Sequence, residues 1–191
     1  MDAPVVGILA LQGDFAAHAR TLRALGAEPR EVRVPADLGG LDGLVLPGGE
    51  STTMTLGIER EQLTEPLREL AANGTPLFGT CAGLIMLDRD HLGLIDMRAE
   101  RNAFGRQVHS FEADLEIAGI EGGPVRAVFI RAPWVADCGE GVEVLAELDG
   151  RPVAVREGDR LAISFHPELS GELRLHARFL ELVRERAAQT R

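Results

Sequence analysis

The feature that most constrains the fold is an alternation filling the first half of the chain. Short apolar runs take turns with stretches of helical period. Residues 5–11 (VVGILAL) are continuously apolar, as expected of a strand buried on both faces. Residues 15–25 (FAAHARTLRAL) read as a helix stopped by Gly26, and 28–34 (EPREVRV) alternate like a second strand. Residues 41–49 (LDGLVLPGG) are a third strand ending in a Pro-Gly-Gly turn. Residues 64–73 read as a helix, 75–79 (TPLFG) as a short buried strand, and 82–88 as another helix. Strand, helix, strand, helix predicts a doubly wound α/β sheet, whose ligands sit outside the carboxyl ends of the strands. The loops LQGD, LPGGES and GTCAG each follow a strand, so all three are expected on one edge of the sheet.

The second half changes character. The segments RQVHSFEADLEI, PVRAVFIRA, VEVLAEL, PVAVREG and RLAISF are strand-like and read as hairpins and antiparallel additions. Residues 171–189 close the chain as an amphipathic helix, with Leu175, Phe179, Leu182 and Val183 on or near one face. With 191 residues and no repeat or interdomain linker, a single domain spanning 1–191 is expected.

Composition narrows the chemistry. The net charge of −10 argues against a nucleic-acid or anionic-membrane surface. All 20 basic residues are Arg, so neither a lysine Schiff base nor a Walker A lysine can be present. The two cysteines, Cys81 and Cys138, make no disulfide framework and no zinc spacing. Cys138, in a polar Gly-bounded turn, reads as incidental. The first 15 residues carry no basic n-region, and no run approaches a membrane span. A reducing, cytoplasmic setting is the simplest expectation, with no metal and no cofactor.

Gly79-Thr80-Cys81-Ala82-Gly83 has the form G-x-nucleophile-x-G. At such a strand-to-helix elbow the helix dipole favours a thiolate, and the Ala82 N–H points where an oxyanion would form. The alternative is a structural cysteine whose glycines serve only the turn. A nucleophile needs a base and the base an orienter. In ISFHPEL, His166 follows an apolar strand and Glu168 lies two residues on, on the same side if the segment is extended, as Pro167 favours. Alone, His-x-Glu reads more simply as a strand-end histidine and a solvated charge. Joined to an elbow cysteine, it reads as base and orienter. His18, on a helix face, His91, in a loop, His109, in a strand, and His176, on the last helix, read as structural or solvated. In LPGGEST, Gly49 is a candidate second oxyanion donor, and Glu50, Ser51 and Thr52 suit a helix N-terminus.

The segments GILALQGDFAAH, LPGGESTTM, PLFGTCAGLI, RNAFGRQVHSFE, FIRAP and FHPEL occur in order across nearly the whole chain. Together they closely resemble the glutaminase subunits of pyridoxal 5′-phosphate synthase, which are class I (triad) glutamine amidotransferases. The stretch LDRDHLGL (87–94) looks shorter than is usual in that family. The resemblance implies a flavodoxin-like three-layer fold with antiparallel additions. It implies hydrolysis of L-glutamine to glutamate and ammonia by Cys81, His166 and Glu168 through a γ-glutamyl thioester, with oxyanion donors at Gly49 and Ala82. It places glutamine on Gly49, Glu50, Ser51, Arg101, Ile130 and Arg131; taken alone, the two arginines read as surface or strand-edge charges. It assigns Gln12 and Gly13 to a loop that rearranges when a lysine-bearing synthase core subunit, the ammonia acceptor, docks. Rival readings are a triad glutaminase serving another acceptor, a catalytically silent module on the same fold, and a cysteine hydrolase of peptides or esters.

Overall fold

The computed structural model describes residues 3–101 and 110–189. Seven strands form the central sheet: β1 (Val5–Leu9), β2 (Glu28–Val32), β3 (Gly43–Leu46), β4 (Leu77–Thr80), β9 (Glu143–Leu148), β10 (Arg151–Glu157) and β11 (Arg160–Ile163). Their order is β2-β1-β3-β4-β11-β10-β9. The first five in that order are mutually parallel, and β10 is antiparallel to both β11 and β9.

Residue alternation assigns the two faces. Val6, Ile8, Val45, Phe78 and Ile163 pack against helices α1 (Phe15–Ala24) and α6 (Arg174–Gln189) through Leu22, Leu175, Phe179 and Val183. Leu9, Leu44, Leu46, Leu77 and Ala162 pack on the other face against α2 (Ser51–Arg60), α3 (Thr64–Ala72) and α4 (Ala82–Leu87). Strands buried on both sides explain why β1, β3 and β4 are continuous apolar runs. The result is a three-layer α/β structure.

The expected helices of the first half form within a residue or two of their predicted limits. Asp14 caps α1 by accepting from the Ala17 N–H at 3.0 Å, and Glu50 caps α2 through Thr52 and Thr53. Helix α6 begins at Arg174, three residues later than read from sequence.

Three expectations need correction. First, β11 is not only an antiparallel addition: it pairs in parallel with β4, Ile163 opposite Thr80, and so extends the parallel core of the sheet. Second, β5 (Met97–Glu100) and β8 (Trp134–Cys138) form a separate two-stranded antiparallel sheet that the sequence reading omitted. Cys138 is therefore the end of a strand, packed against the core, not a residue of a polar turn. Third, residues 167–170 form a helical turn, α5 (Pro167–Ser170), with His166 as its N-cap, rather than continuing extended. Strands β6 (Ser110–Leu115) and β7 (Val125–Ile130) pair antiparallel as expected. The expected strand position of His109 lies outside the described residues, as do 102–107 of the RNAFGRQ segment.

The short stretch 87–94 is organised by Asp88. Its buried carboxylate accepts from the N–H groups of Asp90 and Ala99 and bonds the His91 ring at 2.7 Å. Among the described residues no helix is long and apolar enough to cross a membrane.

Candidate active site

The carboxyl ends of β1, β3, β4 and β11 converge on one edge of the sheet, as their loops require. At the end of β4 the chain turns sharply at Cys81, with φ of 50° and ψ of −107°, and enters α4. The Cys81 N–H stays on the β-ladder, donating to the Ile163 carbonyl at 2.8 Å. Gly83 makes the turn possible. A Cβ there would lie 1.9 Å from the Leu46 carbonyl oxygen, so the first turn of α4 packs on β3 backbone to backbone. Cys81 is 6% exposed, and its thiol points toward the Ile130 carbonyl oxygen at 3.9 Å.

His166 leaves the end of β11, the neighbouring strand. Its N–H donates to the Val128 carbonyl at 2.8 Å, and its Nδ1 lies 2.7 Å from Glu168 Oε1. The helical turn of α5, not an extended chain, brings the carboxylate under the ring. Because an ionised carboxylate only accepts, Nδ1 carries the proton of that bond and Nε2 is left for the cysteine side. The Glu168 side chain is 1% exposed and that of His166 11%. Burial opposes charge on His166, but the Cys81 thiol and the Glu168 carboxylate outweigh it and carry the pKa up to about 10. Burial likewise opposes charge on Glu168, yet its hydrogen bond with His166 holds it below the usual carboxylate range.

A cavity of about 420 Å³ opens in front of this pair. Gly49, Glu50, Ser51, Cys81, Ala82, Arg101, Ile130, Arg131 and His166 all line it, together with Ile85 and Pro133. Its size suits a small polar metabolite. Arg101 reaches the loop before α2, with Nη1 3.0 Å from both Ser51 Oγ and Thr52 Oγ1 and 3.7 Å from Glu50 Oε1. Hydrogen bonds from Thr53 and Thr52 hold Glu50 ionised down to about pH 2. The described chain contains four non-glycine residues with positive φ, and two of them, Cys81 and Arg131, are on this wall. Backbone strain of this kind concentrates at functional sites.

Three expected site residues, Gln12, Gly13 and Glu168, stand beside the cavity rather than on its wall. Gly13 adopts φ of 92°, and a Cβ there would lie 1.8 Å from the Gly48 carbonyl oxygen, so the LQGD and PGGE loops touch backbone to backbone. The Gln12 side-chain oxygen accepts from the Glu50 N–H at 2.6 Å. Glu168 sits behind His166. Sequence reasoning missed the wall residues Ile85 and Pro133, and it set aside His18 and His176, which are fully buried behind Glu168. The one available signal was His18 sharing a helix stripe with Ala17 and Leu22. The described residues hold no cluster of three or more metal-ligating side chains.

The chain is similar to several known proteins. A curated pyridoxal 5′-phosphate synthase subunit PdxT from Parafrankia sp. (strain EAN1pec) is 54% identical over 193 residues, covering 96% of this chain and 95% of its own. The subunit of the same name from Mycobacterium avium (strain 104) is 53% identical, covering 96% and 98%. A crystal structure of a glutamine amidotransferase superimposes with a TM-score of 0.87 at 50% identity, covering 93% of this chain and 98% of that one. The structure of PurLQS from Thermotoga maritima shares the fold, with a TM-score of 0.75 at 18% identity. The profile of the SNO glutamine amidotransferase family matches residues 8–185, nearly the whole of the β-sheet and helix framework described above, and the chain belongs to that family.

Proposed function

We propose that this chain is the glutaminase subunit of a pyridoxal 5′-phosphate synthase, a single 1–191 unit working in the cytoplasm. Cys81, His166 and Glu168 act as its triad. The observation that carries the reading is that a cysteine on a strained elbow and a carboxylate-held imidazole share one wall of a cavity whose rim carries Arg101, Arg131 and Glu50.

The chemistry follows from the residues. The Cys81 thiolate attacks the side-chain carbonyl carbon of L-glutamine. The N–H groups of Gly49 and Ala82 receive the developing oxyanion. Protonated His166, held by Glu168, gives its Nε2 proton to the amide nitrogen; the C–N bond breaks and ammonia leaves. The γ-glutamyl thioester is then attacked by water, whose proton passes to His166. Glutamate leaves, and the Cys81 thiolate beside protonated His166 is restored. Around the cavity, Glu50 pairs with the substrate ammonium and the arginines with its carboxylate, with Gly49, Ser51 and Ile130 completing the wall. The ammonia passes to a synthase core subunit. That partner must carry the imine-forming lysines, since this chain has none. The Gln12–Gly13 loop, packed on the Gly48–Gly49 backbone, is the element that responds to docking.

The test is glutamate production from glutamine by the wild type and Cys81→Ala, each with and without a pyridoxal 5′-phosphate synthase core. Hydrolysis stimulated by the core and abolished in Cys81→Ala is the expected result. Cys81-dependent hydrolysis indifferent to the core would redirect the ammonia to another acceptor. Activity on a generic ester without activity on glutamine would overturn the reading.

A further inference from the structure

Behind Glu168 lies a pair of buried histidines for which the hydrolysis just described has no use. His18 of α1 and His176 of α6 are both fully buried, and His18 Nδ1 lies 2.9 Å from His176 Nε2. His18 Nε2 faces two groups of the site. It is 3.6 Å from Glu168 Oε2 and 3.3 Å from the hydroxyl of Thr80, the residue preceding Cys81. Glu168 Oε2 is itself buried and makes no hydrogen bond among the described residues.

We infer that His18 is a positioning residue of this site: from α1 it braces the outer oxygen of Glu168, with His176 holding the His18 ring from behind. The inference rests on the triad reading above. One placement of the protons along the chain serves the carboxylate. Burial pushes the pKa of His18 down and that of His176 down to about 3, so both rings are neutral. The carboxylate only accepts, so His18 carries its proton on Nε2 and accepts on Nδ1. His176 must then donate from Nε2. Its Nδ1 is left as a buried acceptor without a hydrogen-bond partner among the described residues.

Burying such a pair is costly compared with apolar side chains, which argues that it is kept for what it does to Glu168. The edge contact with Phe78, ring centroids 5.4 Å apart, fixes the His176 plane. The charged and titratable groups acting on this chain are Glu168, His166 and Asp14, which caps the same helix as His18. At 3.6 Å the contact with Oε2 is a close approach of the ring N–H to the carboxylate rather than a formed hydrogen bond.

The experiment compares His18→Ala and His18→Gln with the wild type in core-stimulated hydrolysis across pH, with thermal midpoints recorded for each. In His18→Ala, kcat falls about 10- to 100-fold with KM within about twofold, the range typical of removing a support behind a site ligand. Glu168 then holds imidazolium less well, so the alkaline limb of the kcat profile moves down by roughly one pH unit. His18→Gln, which retains a donor at similar reach, recovers most of both. Wild-type kcat and alkaline limb in His18→Ala would overturn the inference, as would a loss that leaves the limb in place and that Gln does not restore. Should the Ala variant not fold, His176→Phe removes the rear donor while keeping ring volume. It carries the same expectation in smaller degree, and wild-type values in it overturn the inference. Glu168→Gln is run alongside. Unchanged activity there overturns the triad and this inference together, whereas a loss there beside an unaffected His18→Ala overturns this inference alone.

Discussion

Gly83→Ala adds one methyl group two residues after the nucleophile, and the structure sets what it does. The new Cβ would start 1.9 Å from the Leu46 carbonyl oxygen and 2.7 Å from its carbonyl carbon. A Cβ does not approach such atoms closer than 3.0 Å, so at least about 1.1 Å of separation must be found. Both partners are backbone, one in α4 and one in β3, so no side chain can swing aside. The helix must lift, and Cys81, its N-cap, moves with it. Overpacking of this kind costs about 1–3 kcal/mol. For a chain of this size that lowers the thermal midpoint by roughly 2–12 °C. The catalytic loss should be larger in proportion, because a displacement of about 1 Å at a reacting atom costs on the order of 100-fold. Core-stimulated glutamate production and calorimetry on the same sample read the two effects. A folded variant within about threefold of wild-type kcat would refute the claim that this backbone contact aims the thiol.

Glu168→Gln tests the electrostatics. The folded pKa of His166, about 10, lies above its ordinary value of 6.5, so the stabilisation is complete below pH 6.5 and lost as pH rises through about 10. With the carboxylate gone, melting temperatures measured between pH 7 and 10 should fall relative to wild type, and the alkaline limb of activity should move to lower pH. Arg101→Ala removes the charged group bonded to Ser51 and Thr52. We expect KM for glutamine to rise roughly 10- to 100-fold, with a smaller change in kcat, in steady-state assays. Gln12→Ala deletes the acceptor of the Glu50 N–H. It should alter stimulation by the core more than unstimulated hydrolysis, and equal stimulation in wild type and variant would count against a docking role for that loop.

The parallel half of the fold was readable because its signals are local. Strands β1, β3 and β4 are apolar runs, β2 alternates, and helices carry a stop or cap within a few residues, as at Gly26 and Glu50. The elbow was readable for the same reason, with its glycines and cysteine inside five positions. What escaped was non-local. The turn at Gly158 announces β10 and β11 as a hairpin, but nothing near residue 160 announces that β11 will also pair with β4, some 80 residues earlier. Four-residue β5 meets β8 across more than 30 residues, and neither carries a strong period on its own. The His166–Glu168 contact was expected for an incorrect reason: the two are joined by a helical turn, not by strand alternation. His18 and His176 were set aside because a polar residue on an apolar stripe does not disclose its partner. That partner is another such residue 158 positions away.

The Cys81 N–H bonded to the Ile163 carbonyl has a consequence for how such an enzyme can be controlled. Cys81 and His166, the proposed nucleophile and base, follow the ends of two adjoining strands, so their spacing is a property of the ladder, as fixed as the pitch of a screw thread. A docking partner cannot readily retune it without unzipping the sheet. The Gly48–Gly49 peptides, Gln12 and Arg101 belong to loops and can be moved cheaply. On the proposed mechanism, control of this site therefore falls to the rim, where substrate and oxyanion would be received, while Cys81 and His166 stay set whether or not ammonia has anywhere to go.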